Sequence, residues 1–235
     1  MAPVDVSDRD LGPHRLSPVR ARYLAAARTA VELLAAPELE QRWDEASVLE
    51  EFGVADLAGH LALAGVLLVE TLLDEPDPRS PEPITGGQYY ARFEGSEDVG
   101  SDLNVAVRER SHTVAVHGRE QVLATASQAL ERLADRLVAE PADRQVASRG
   151  LALTLDEFLR TRCVELAVHV EDLELSVGLG PGLTAADPVP DVPDDVVADA
   201  VAVLVETAIA RNGTRAVLTA LCRRERDHVD ALRAL

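Results

Sequence analysis

A chain of 235 residues can bury a core of its own without disulfide staples. Its formal net charge of −18 would repel a phosphate backbone, and 3% aromatic residues leave few platforms for stacked bases, which argues against nucleic-acid binding. Cys163 and Cys222 lie far apart, the N-terminus opens polar, and the longest apolar run, 61–69, is about half the roughly 20 residues of a membrane span, so a cytoplasmic protein without a transmembrane segment is expected.

The first element is a helix over 16–36, where Tyr23, Ala27, Ala30, Val31 and Leu34 recur at helical spacing. A second helix covers 54–74 and stops at the prolines at 76, 78, 81 and 83. Residues 76–100 show no sustained period and read as a loop carrying Tyr89 and Tyr90. Helical composition returns over 102–140, with Gly118 as a kink or boundary. Thr154 and Glu157 form a capping-box pair that starts helix four near Leu155, and this helix runs to about Val177. Two further helices are expected over 193–211 and 214–226, separated by Asn212-Gly213. No stretch alternates with period two. The predicted fold is all-α: a four-helix bundle over 1–180 and a helical C-terminal extension over 181–235 packed on it.

Helix four carries the strongest chemical signal. At about 100° per residue, Phe158, Thr161, Arg162, Glu165, Val168, His169 and Asp172 share one stripe flanked by leucines and valines. A solvated helix would place its charges opposite the apolar flanks, so these groups point inward and need compensation. Glu165 and His169 are spaced i, i+4, which suits two ligands of one ion. His60, surrounded on its own helix by Leu57, Leu63, Ala64 and Leu67, would supply a third ligand. Three protein ligands leave an open coordination position, the catalytic rather than the structural pattern. The bland readings are a surface hydrogen bond for the pair and a core histidine bonded to a carbonyl for His60.

Asp56 and Asp172, each one turn from a histidine, could accept the far ring N–H of His60 and His169. Their alternatives are a helix N-terminal charge for Asp56 and an Arg162 partner for Asp172. His112 and His117 lie about 140° apart around a helix and cannot share a small ion. Cys163 points away from Glu165 and reads as packing. His14 and His228 lie near the chain ends and read as solvated.

These residues resemble a known family. Residues 54–61, 158–169 with Asp172-Leu173, the Gln88-Tyr89-Tyr90-Ala91-Arg92 segment and 216–225 are similar to the DinB/YfiT-like metalloenzymes, and within them to actinobacterial proteins like the N-terminal domain of mycothiol-dependent maleylpyruvate isomerase. The resemblance implies a DinB-like bundle with His60, Glu165 and His169 as ligands of a divalent metal, zinc foremost. It also implies a low-molecular-weight thiol, mycothiol, that acts as a thiolate on a small electrophile by cis–trans isomerisation or S-transfer.

Two other readings stay open beside this one: a metal enzyme that uses no thiol, and a non-catalytic metal- or ligand-binding bundle. By position, Arg162 and the loop around Tyr89-Tyr90 are candidate substrate contacts. A homodimer through an apolar helix face is compatible with the apolar surroundings of helix two.

Overall fold

A computed structural model of the chain describes residues 16–93, 98–179, 191–222 and 232. Among the described residues are nine helices and one short hairpin. They are α1 (Pro18–Ala35), α2 (Pro37–Gln41), α3 (Val54–Asp74), α4 (Gly86–Tyr90), α5 (Asp102–Ala115), α6 (Arg119–Ala139), β1 (Gln145–Ser148), β2 (Leu151–Thr154), α7 (Leu155–Val177), α8 (Asp194–Asn212) and α9 (Thr214–Cys222).

Four helices close a ring: α1 packs on α6 and α7, and α3 packs on the same two from the other side. Their inward stripes are aliphatic. Tyr23, Leu24 and Leu33 of α1 meet Leu57 and Leu61 of α3, Leu133 and Leu137 of α6, and Phe158 and Leu159 of α7, all fully buried or nearly so. Each such side chain contributes roughly 1.5–3 kcal/mol by leaving water. Helix α5 lies along α3, and α8 covers α7 and α4. By length and composition α3 is long and apolar enough to cross a membrane, yet 61% of its most apolar stretch is buried against the chain's own helices.

Local chemistry fixes the helix ends. Ser17 caps α1 through the Arg20 N–H, and Thr154 caps α7 through the Glu157 N–H. Only half of the predicted box forms on α7, because the Glu157 carboxylate accepts from the Gly86 N–H instead and ties α4 to α7. Arg20 donates to the carbonyls of Leu137, Glu140 and Pro141, satisfying the end of α6, and pairs with Asp156 at 2.9 Å. Gly118, with φ 84°, separates α5 from α6 outright rather than kinking one helix.

Two expectations need correction. The loop over 76–100 contains α4, started by a complete capping box between Thr85 and Gln88. The hairpin over 145–154 was not anticipated: each strand is only four residues long, too short for alternation to stand out. The division at 180/181, the helix end beyond Cys222, and His14 and His228 fall outside the described residues.

Within α3 the ladder slips by one residue over Leu63–Leu67, a single π turn. Two carbonyls of this turn face the core and receive buried donors: Ala64 O takes Arg162 Nη1 at 3.0 Å, and Gly65 O takes the Tyr23 hydroxyl at 3.0 Å. A π turn re-aims backbone acceptors in this way, and such turns cluster at functional sites.

Candidate metal centre

His60 from α3 and Glu165 and His169 from α7 converge, with one ligand atom from each within 4.8 Å of the others. Glu165 Oε2 is the hinge of the group, 3.3 Å from His60 Nε2 and 3.6 Å from His169 Nε2. The imidazoles meet edge to face with centroids 4.7 Å apart. Their side chains are 11%, 18% and 22% exposed for His60, Glu165 and His169, so the cluster is neither sealed in the core nor spread on the surface.

The hydrogen-bond network assigns the protons. The Ser111 hydroxyl donates to Val107 O at 2.8 Å, so at 3.2 Å its oxygen accepts from His60 Nδ1–H. His169 Nδ1 lies 3.0 Å from Asp172 Oδ2, an acceptor only, and so carries its hydrogen there. Two imidazole Nε2 atoms thus face one carboxylate oxygen at 3.3–3.6 Å, and this donor set fits a divalent ion with nitrogen and oxygen ligands.

Charge supports the same arrangement. Burial lowers the His60 pKa more than its contact with Glu165 raises it, keeping the ring neutral and able to ligate. Burial works against ionisation of Glu165, but the Arg162 guanidinium and then the His60 contact outweigh it and hold the carboxyl far below its usual range. Glu165 Oε1 is the supported oxygen: the Tyr90 hydroxyl lies 2.8 Å away and Arg162 Nη2 lies 3.6 Å away. The same hydroxyl is 2.8 Å from Thr161 O, and its hydrogen favours the charged acceptor. Oε2 remains directed at the histidines.

The other candidate residues fall as follows. Asp56 does not reach His60: its carboxylate takes His112 Nδ1 at 2.9 Å on the exposed side of α3, and Ser111 occupies the position expected of it. Asp172 sits on His169. Arg162 is buried, bonded to Ala64 O and Thr161 Oγ1 and stacked 4.8 Å over Phe158, which makes it a structural counter-charge to Glu165. Cys163 is fully buried, and burial pushes its thiol up to about 12, so it is no nucleophile. Cys222 is exposed and His117 lies outside the cluster. Tyr89 bonds Ser148 at 2.7 Å and lines the approach to the site. Sequence reasoning missed Ser111 and the role of Tyr90. Ser111 carried one signal, its place one turn after Val107 on a helix face that also reads as apolar.

Above the cluster lies a cavity of about 670 Å³ between α3, α5, α7 and the hairpin, whose floor includes His60, Glu165, His169 and Arg162. All three clustered side chains line this cavity, the size of a small-molecule site.

No curated protein and no solved structure matches the chain. The family model described as mycothiol maleylpyruvate isomerase N-terminal domain matches residues 23–174, a stretch that holds all three clustered residues and Asp172 and ends before α8. With that match spanning well over half of its length, the chain belongs to the mycothiol maleylpyruvate isomerase N-terminal domain family.

Proposed function

We propose that the chain is a divalent-metal-dependent enzyme, zinc being the first choice, that uses a low-molecular-weight thiol, mycothiol, on a small electrophile. The observation that carries this reading is the convergence of three acceptor atoms, two imidazole nitrogens and one carboxylate oxygen, at the floor of a cavity. Family membership supplies the thiol.

When bound, a divalent ion supplies the Lewis acidity that turns a coordinating thiol into a thiolate at neutral pH. The chain's own part is positional. Ser111 and Asp172 hold the two imidazoles in the tautomer that presents Nε2, and Tyr90 and Arg162 keep the Glu165 carboxylate ionised and turned toward them. Aliphatic side chains of the cavity wall lie beside the cluster and give a reacting group there a less polar surrounding than bulk water. A thiolate that adds to an activated alkene and leaves after rotation gives cis–trans isomerisation; one that stays, with the resulting enolate taking a proton from solvent, gives an S-conjugate. A reducing compartment such as the cytoplasm suits both the thiol and the free Cys163 and Cys222.

The test is mycothiol consumption against a panel of electrophiles, with bound metal measured in parallel, for wild type and His169→Ala. The reading requires metal in the wild-type protein, thiol-dependent turnover, and loss of both in the variant. Metal without turnover on any electrophile would make it a metal-binding protein; neither would end the reading.

A further inference from the structure

The cavity and its mouth differ in character from the rest of the molecule. The chain carries 41 acidic and 23 basic residues, yet the charged groups lining the cavity are mostly arginines. Arg162 is neutralised by Glu165 on the floor. Among the described residues that leaves Arg108, Arg110 and Arg149 with Glu50 as the remaining carboxylate of the lining, and none of these three arginines forms an ion pair there. A cationic rim over low-dielectric walls on an otherwise acidic surface focuses its field on incoming anions.

Arg149 stands out by its backbone. It occupies the turn of the β1–β2 hairpin with φ 51°, followed by Gly150 at φ 77°. A two-residue turn with both φ values positive suits Asn-Gly and strains an arginine. The strained residue is aimed: its guanidinium lies 4.9 Å over the Phe93 ring, and both side chains line the cavity. Backbone strain at a ligand clamp is a pointer to function. Below this rim the wall is aliphatic, with Leu63, Leu68, Leu72, Val107, Val164 and Val168.

We propose that the cavity takes a small amphiphilic anion, with an apolar body against the aliphatic wall and a single anionic end held at the rim by Arg149 and Arg110. This rests on the enzyme reading above and narrows it: the electrophile is a monoanion with an apolar body. A compact dianion would leave the wall unfilled and its second charge desolvated.

Calorimetric titration of the protein as purified with octanoate, octanamide and succinate, in the absence of any thiol, tests this directly. Octanoate is expected to bind about tenfold more tightly than octanamide, and succinate more weakly still. Arg149→Asn relieves the turn strain, so its melting temperature should hold or rise while octanoate affinity falls about fivefold to tenfold and octanamide affinity stays put. Arg110→Gln should act in the same direction. The titrations are repeated on chelator-treated protein, where the preference for octanoate must persist if arginine rather than a metal ion reads the carboxylate. Succinate binding as tightly as octanoate, an unchanged preference in Arg149→Asn, or loss of the preference on chelation would each overturn the proposal. Because no thiol is present, failure of anion binding here is distinguishable from failure of mycothiol consumption.

Discussion

The Ser111 hydroxyl accepts from His60 Nδ1 across 51 residues of chain and hands its own hydrogen to Val107 O, so a helix with no residue in the His60–Glu165–His169 cluster decides which nitrogen of His60 faces Glu165. Helix α5 can do this because it approaches α3 closely. At Gly59 a Cβ would stand 2.5 Å from Ser111 O, so the contact is open only to glycine.

Ser111→Ala should therefore leave the fold nearly intact while weakening metal binding about tenfold or more, since outer-shell partners of a ligating histidine carry that much affinity. Competition for zinc against a chromophoric chelator measures the change. Gly59→Ala should weaken binding too, but with a drop in stability of about 1–3 kcal/mol from the forced separation of the helices.

Tyr90→Phe removes one hydroxyl and little volume. The Glu165 carboxylate loses the donor at Oε1, and we expect about 1.5–3 kcal/mol less stability in chemical denaturation, the range for a buried hydrogen bond to a charged group. Metal affinity should fall as well, because Oε1 becomes free to compete with Oε2 for the ion. The Tyr89→Phe variant, whose hydroxyl meets Ser148 instead, should leave metal affinity unchanged.

Arg162→Met strips the counter-charge from Glu165 and should cost about 3–5 kcal/mol, since it leaves a charge without its partner in a largely buried site. Adding Glu165→Gln to Arg162→Met should recover much of that loss. A double-mutant cycle by urea denaturation of chelated protein reads the coupling, and additive effects would contradict the pairing.

Acid should destabilise the metal-free protein in two stages. His60 has a folded pKa below its ordinary 6.5, so the unfolded chain takes up that proton first, and stability present above 6.5 declines as pH falls toward the folded value. Glu165, depressed from 4.5, contributes stability that is present above 4.5 and lost as pH falls further. The difference in unfolding free energy between wild type and Glu165→Gln should shrink below pH 4.5, and the difference between wild type and His60→Gln should begin to change near 6.5.

Sequence alone determined what one helix can determine. The i, i+4 spacing put Glu165 and His169 on one face of α7, Thr154 marked where that helix starts, apolar periodicity outlined α1 and α3, and helical composition outlined the span of α5 and α6, because all of these depend on neighbours within a turn or two. The tertiary structure decided which groups from elsewhere complete the face. Asp56, one turn from His60, was the local choice for its ring N–H, but its carboxylate leans outward to His112, and a serine 51 residues away takes the contact. Tyr90 reaches Glu165 across 75 residues from a helix of five residues, too short to announce itself by period. Arg162, on the cavity lining, is also a buried counter-charge to Glu165, because the π turn of α3 offers it the Ala64 carbonyl. Helical periodicity specifies a direction from one axis; what meets it there depends on how the helices pack.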